Sequence, residues 1–170
     1  MSIHMHPQDL HPAGSGAAAW VAPANEGDAR WWFGVRATVK ADAKRTDGQL
    51  TVVEIEAPPN VAAPLHVHHR EDEGFWILDG SIELHVGDAP ALELAVGDLA
   101  WGPRGIPHRY TVGPQGVRML FLFTPAGFED LIDATSVPAA TAGPPPEDLP
   151  PGDLDQLAAT VQRFGCELLG

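Results

Sequence analysis

At 170 residues the chain has the length for one sizeable hydrophobic core and too little for two comfortable domains. Acidic residues outnumber basic ones 23 to 10, giving a formal charge of −13, and no Lys/Arg cluster offers the basic face that phosphate neutralisation needs, so nucleic acid is not an expected partner. Apolar residues make up 44% of the chain without a run of about 18 in a row, the N-terminus lacks the basic-then-apolar order of a secretory signal, and the single cysteine, Cys166, cannot close an internal disulfide; these readings argue against a membrane span or export and suit a reducing cytoplasm.

Residues 1–19 are rich in Gly, Ala, Pro and His without periodicity, and they read as a mobile N-terminal segment. A barrel is expected over residues 20–125. Its first strand signal is the aromatic and β-branched run at residues 31–39, and residues 50–56 alternate as a second strand after the turn at Thr46-Asp47-Gly48. Pro58-Pro59 ends that strand. Further strands are expected at residues 65–69, 74–78 and 81–86, the last two joined by a hairpin at Asp79-Gly80. Residues 91–95, 99–102, 108–112 and 117–123 complete the set, and many short strands between turn residues argue for an all-β sandwich or barrel. Residues 126–170 change character: a short helix near residues 128–132, a Pro-rich linker at 138–152, and a terminal helix over 154–164 with Asp153 as cap and Gly165 as stop, packed on the barrel or on a partner subunit.

The chemistry sits in the middle of the barrel. His66 and His68 are two apart, so on a strand they project from one face. Glu73 follows on the next turn or strand, and His108 arrives from a separate segment. Three imidazoles and one carboxylate make a borderline-soft donor set that suits Fe, Ni, Co, Mn, Cu or Zn and matches Mg or Ca poorly. His4-Met5-His6 has the same spacing as His66 and His68, but no strand signal, carboxylate or third partner accompanies it.

The surrounding pattern resembles the cupins. Their first motif, G-x5-H-x-H-x(3,4)-E-x6-G, is matched by His66, His68, Glu73 and Gly80, with Asn60 in place of the first glycine. Their second, G-x5-P-x-G-x2-H-x3-N, is matched by Gly97, Pro103, Gly105 and His108, with Val112 in place of the final Asn. The resemblance implies a double-stranded β-helix, or jelly-roll, barrel with short C-terminal helices, holding one divalent transition metal through His66, His68, Glu73 and His108.

Strand parity extends the site. If Glu73 faces inward, so do Phe75 and Ile77; if His108 does, so do Tyr110 and Val112, which gives a largely apolar substrate pocket. Trp31 or Phe33 would close it. His69 has the wrong parity to ligate the same ion, His85 is expected at the surface, and Arg70, Glu71 and Asp72 read as a solvated rim. Cys166 reads as a small buried residue. Gly80, Gly97 and Gly105 are expected in turns that need positive φ.

The stretch from Pro64 to Gly87, and Gly127-Phe128-Glu129-Asp130, are similar to single-domain cupins of the quercetin 2,3-dioxygenase type. That resemblance implies a flavonol-like or other small aromatic or enolic substrate, Glu73 as general base, and insertion of dioxygen with loss of carbon monoxide. Another metal-dependent cupin reaction, such as isomerisation or decarboxylation, and a non-enzymatic small-ligand barrel stay open as alternatives. A homodimer is expected, because barrel edges need covering.

Overall fold

Two long strands run through the molecule as a bent ribbon, and the other strands are added to it directly or through a neighbouring strand. The computed structural model describes residues 19–24, 26–146 and 154–169. All but the last residue of the expected mobile segment 1–19, and most of the second half of the Pro-rich linker, lie outside the described residues.

In chain order the elements are β1 (Asp28–Trp32), β2 (Val35–Ala41), α1 (Ala43–Thr46), β3 (Thr51–Ala57), β4 (His66–His68), β5 (Asp72–Val86), β6 (Leu92–Ala95), β7 (Leu99–Gly102), β8 (His108–Thr124), α2 (Glu129–Thr135), β9 (Val137–Pro138), α3 (Leu154–Arg163) and β10 (Cys166–Leu168). The long ribbon is β5 against β8, antiparallel from Asp72↔Thr124 to Val86↔His108. The first half of β5 also pairs with β7 and the second half with β6. On its other edge β8 pairs with β3, which continues through β2 and β1 to β9. This is the all-β architecture expected from the strand pattern, and it is the jelly-roll that the resemblance implies.

The ribbon bends where its register breaks. Asp79-Gly80 does not close a hairpin as the sequence suggested: β5 runs straight through it, and pairing jumps from Gly80↔Val117 to Ile82↔Val112. Gly80 has φ 74°, and a Cβ there would lie 2.0 Å from the Gly116 carbonyl oxygen, so only glycine lets the two backbones approach at the bend. The same break makes residues 108–112 and 117–123 parts of one strand rather than two. Phe75, Ile77, Ile82 and Leu84 from β5 then meet Val53, Ile55, Met119, Phe121 and Phe123 in a fully buried core.

Two further differences concern the site. The run at residues 31–39 is not one strand: Phe33-Gly34 turns it into the β1–β2 hairpin, with Trp32 and Val35 directly opposed. The C-terminus supplies a helix as expected, stopped at Gly165 (φ 82°), but a strand follows it. That strand, β10, pairs antiparallel with β4, placing Cys166 opposite His68 and Leu168 opposite His66. Among the described residues no helix is long and apolar enough to cross a membrane.

Candidate metal centre

β4 lies between β8 and β10, and this fixes three of the four donors. His66 and His68 alternate with buried Val67 along β4, and His66 is the direct cross-strand partner of His108, the first residue of β8. Glu73, near the start of β5, pairs with Phe123 of β8 and Gly102 of β7. One ligand atom from each of His66, His68, Glu73 and His108 lies within 4.8 Å of all the others. The turn before β4 is possible because Asn60 adopts φ 63°, a left-handed conformation that Asn tolerates better than other non-glycine residues. The departure from the first motif is therefore a conservative one. Gly97 and Gly105 have positive φ, as their turns require, whereas Gly80 has it at the bend within β5.

Second contacts orient the imidazoles. The His66 Nδ1–H donates to the Pro64 carbonyl at 2.8 Å and the His108 Nδ1–H to the Ile106 carbonyl at 3.1 Å, which leaves each Nε2 as the ligand atom. His108 Nε2 stands 2.9 Å and His68 Nε2 3.1 Å from Glu73 Oε2. With Nδ1 of His108 already donating, its Nε2 lone pair faces the carboxylate, an arrangement that needs a proton or a cation between them. Both ring nitrogens of His68 are buried without a hydrogen-bond partner, so despite its proximity Nε2 is not aligned to donate to Glu73. Donor atoms set at right angles on an ion about 2.1 Å away would stand about 3.0 Å apart. The donor set and its spacing thus fit a first-row transition metal, and the cluster is able to hold one.

Electrostatics agree. Burial, only partly offset by the charge of Glu73 and reinforced by repulsion from His108 and His68, holds His66 down at about 4, so its ring is neutral and free to ligate at neutral pH. Burial pushes Glu73 up, but the hydrogen bond with His108 and the close approach and charge of His68 and His108 outweigh it and bring its carboxyl to about 2. Burial pulls His108 down, yet its pairing with Glu73 leaves it raised.

Glu71 was expected on a solvated rim and is instead buried, at 5% exposure. Its Oε2 has no hydrogen-bond partner and lies 3.9 Å from His68 Nδ1, and burial raises its carboxyl. No sequence signal distinguishes it from its charged neighbours. Asp72 does lie on the rim, in an ion pair with Arg104. His69 pairs with Glu167 and His85 with Glu83, both away from the cluster.

A cavity of about 90 Å³ ends on His66, His68 and Glu73. Of the four residues expected in its lining, Tyr110 lines it, and burial together with the charge on Glu73 holds its phenol protonated. Phe75, Ile77 and Val112 point inward as parity required but lie in the core and are not among the lining residues. Phe33 of the first hairpin lines the cavity, as one of the two expected closing residues, and the other walls come mainly from elsewhere: Trp32, Phe121, Phe128, and Val161 and Leu168 of the C-terminal segment. Cys166 is buried as expected and also lines the cavity; burial, reinforced by the charges of Glu73 and Glu71, pushes its thiol up to about 12. Trp31 faces away and donates to the Gly143 carbonyl. The missed walls depend on β10 and on the hairpin turn, neither of which had a readable signature.

Residues 53–123 match the family model of the cupin domain. The chain is also similar to quercetin 2,3-dioxygenase of Bacillus subtilis (strain 168), 36% identical over 92 residues, or 54% of this chain and 27% of that protein; the match spans about a quarter of the relative's length. Among solved structures, an oxalate decarboxylase aligns over 78% of this chain and 34% of its own with a TM-score of 0.58 and 20% identity. KdgF from Halomonas sp. aligns over 57% and 84% with a TM-score of 0.51 and 18% identity. At those identities the two structures speak for the shared fold alone.

Proposed function

We propose that the protein is a metal-dependent dioxygenase that cleaves a flavonol-like or other small aromatic or enolic substrate. The observation that carries this reading is the cavity: an apolar, aromatic-walled chamber with the His66, His68, Glu73 and His108 donor set at its inner end. The similarity to quercetin 2,3-dioxygenase over the matched segment supports the same substrate class. A divalent transition ion held by those four residues would lower the pKa of a substrate hydroxyl and supply the redox centre for dioxygen. In this reading Glu73, which lines the cavity, takes up the hydroxyl proton. The aromatic walls orient a flat substrate and exclude water, and Tyr110, kept protonated, is a hydrogen-bond donor inside the chamber.

The test is incubation of Fe-, Ni-, Co-, Mn- or Cu-loaded protein with quercetin, with and without dioxygen. Oxygen-dependent loss of flavonol absorbance with release of carbon monoxide is expected. Binding without turnover under every metal would leave a non-enzymatic ligand barrel, and the dioxygenase reading would fail.

The proposal includes a cytoplasmic setting, in keeping with the lone reduced cysteine, and a homodimer. Trp76, Leu99 and Trp101 form an exposed apolar face on β5 and β7, where Trp76 is the direct partner of Leu99; an apolar patch of this kind is commonly covered by another surface. Sedimentation equilibrium of wild type and of Trp101→Glu measures this, with a dimer that weakens in the variant expected and a wild-type monomer throughout the micromolar range counting against it.

A further inference from the structure

The β1–β2 turn carries a residue that its backbone does not favour. Trp32 pairs directly with Val35, leaving a two-residue loop in which Phe33 has φ 48° and Gly34 φ 85°. Two positive φ values in a two-residue hairpin define a type I′ turn, whose first position favours Asn, Asp or Gly. Among the described residues only two other non-glycine positions have positive φ, Asp47 and Asn60, and both carry the short polar side chains that tolerate it. Phe33 is the exception, and core packing does not account for it, because 48% of the residue is exposed.

The exposed ring has a definite place. It lies 5.1 Å from the Trp32 ring, and both residues line the cavity that ends on His66, His68 and Glu73. Trp32 is itself fixed, donating from Nε1 to Thr135 Oγ1 at 2.9 Å and meeting Phe128 edge-on. A rigid tryptophan thus supports a phenylalanine that is held in an unfavourable conformation, half in solvent, at the cavity wall. Strained backbone of this kind persists where the surroundings over-determine it, and it gathers at ligand sites.

We propose that Phe33 is a specificity-determining residue: its ring, backed by Trp32, stacks on a flat aromatic ring of the substrate and selects aromatic over non-planar ligands. This deepens the proposed function, since it rests on an aromatic substrate occupying the same cavity.

The experiment uses the metal-loaded full chain and two probes, quercetin and 2-naphthol, the latter flat and aromatic but lacking the heterocycle that would be opened. Dissociation constants are measured for wild type, Phe33→Asn, Phe33→Leu and Phe33→Trp, with melting temperatures alongside. Loss of a stacked ring weakens both probes about five- to tenfold in the Asn and Leu variants, while Trp restores affinity. The Asn variant melts within about 4 °C of wild type, because relief of the turn offsets the lost ring contact. Wild-type affinity for both probes in the Asn or Leu variant overturns the proposal. So does a wild type that takes up neither probe, or an Asn variant whose melting temperature collapses while the folded fraction binds normally. Phe33-dependent binding of both probes without oxygen-dependent loss of quercetin supports the stacking role and refutes the dioxygenase reaction, so the two readings fail separately.

Discussion

Replacing Glu71 by Gln changes one charge behind the candidate metal centre while leaving all four donors in place. The carboxylate lies 3.9 Å from His68 Nδ1, too far for a direct hydrogen bond, so it acts on that ring through its charge. Two full charges about 4 Å apart at an effective dielectric of about 20 interact by about 4 kcal/mol. An imidazole ligating a divalent ion carries only part of a positive charge; with about a third of it, the interaction is about 1.4 kcal/mol, or tenfold in metal affinity. That falls at the low end of the 10- to 100-fold effect of outer carboxylates on bound metals. In metal-free protein the sign reverses. Glu71 Oε2 is buried without a hydrogen-bond partner, and the raised carboxyl destabilises the fold wherever it is ionised, so the neutral Gln leaves the metal-free protein as stable as wild type or more so. Competition with a chromophoric chelator gives the affinity, and thermal unfolding of chelator-treated protein gives the stability. Metal affinity equal to that of wild type, or a metal-free variant that melts clearly lower, refutes the reasoning.

Three other outcomes follow from the geometry. In the metal-free protein, His108 has a raised pKa, so its pairing with Glu73 contributes fully below the ordinary histidine value of 6.5 and is lost as pH rises through the raised value; Glu73, depressed to about 2, stays ionised throughout. The melting temperature of chelator-treated protein should therefore fall as pH rises above about 6.5, and a flat profile would show that the pair contributes nothing. Gly80→Ala places a Cβ 2.0 Å from the Gly116 carbonyl oxygen at φ 74°, where neither backbone can easily move, so it should lower the melting temperature by more than about 5 °C in thermal unfolding. Cys166, buried and with its thiol pushed up to about 12, should resist iodoacetamide at pH 8 in the native state and react on unfolding; rapid native alkylation counted by mass spectrometry would contradict its placement.

The grouping of the four donor residues was legible because it depends on short-range regularities. A spacing of two on a strand fixes a face, and Gly97, Gly105 and Pro103 mark the turn that delivers His108. The cavity walls were less legible. Phe33-Gly34 sits inside an aromatic and β-branched run whose local preference is extended, and only the pairing of Trp32 with Val35 reveals the turn. Asp79-Gly80 has the chemistry of a hairpin, but β8 supplies a matching irregularity at residues 113–116, so tertiary pairing turns the same glycine into a bend within one strand. Glu71 cannot be told from Arg70 and Asp72 by residue type, since its burial depends on the direction in which the loop carries it. β10 is three residues long and has no period to detect.

The pairing of β10 with β4 makes the far end of the chain a thermodynamic partner of the metal centre. Leu168 and Cys166 of β10 are the direct cross-strand neighbours of His66 and His68, and the Leu169 amide donates to the Leu65 carbonyl at 2.8 Å. An ion that binds only when β4 is correctly placed stabilises every contact that places it. By reciprocity, whatever firms the docking of the last strand tightens the ion by the same factor, and whatever peels it away weakens the ion equally. Slowed hydrogen exchange across residues 166–169 would then report metal occupancy from outside the donor set.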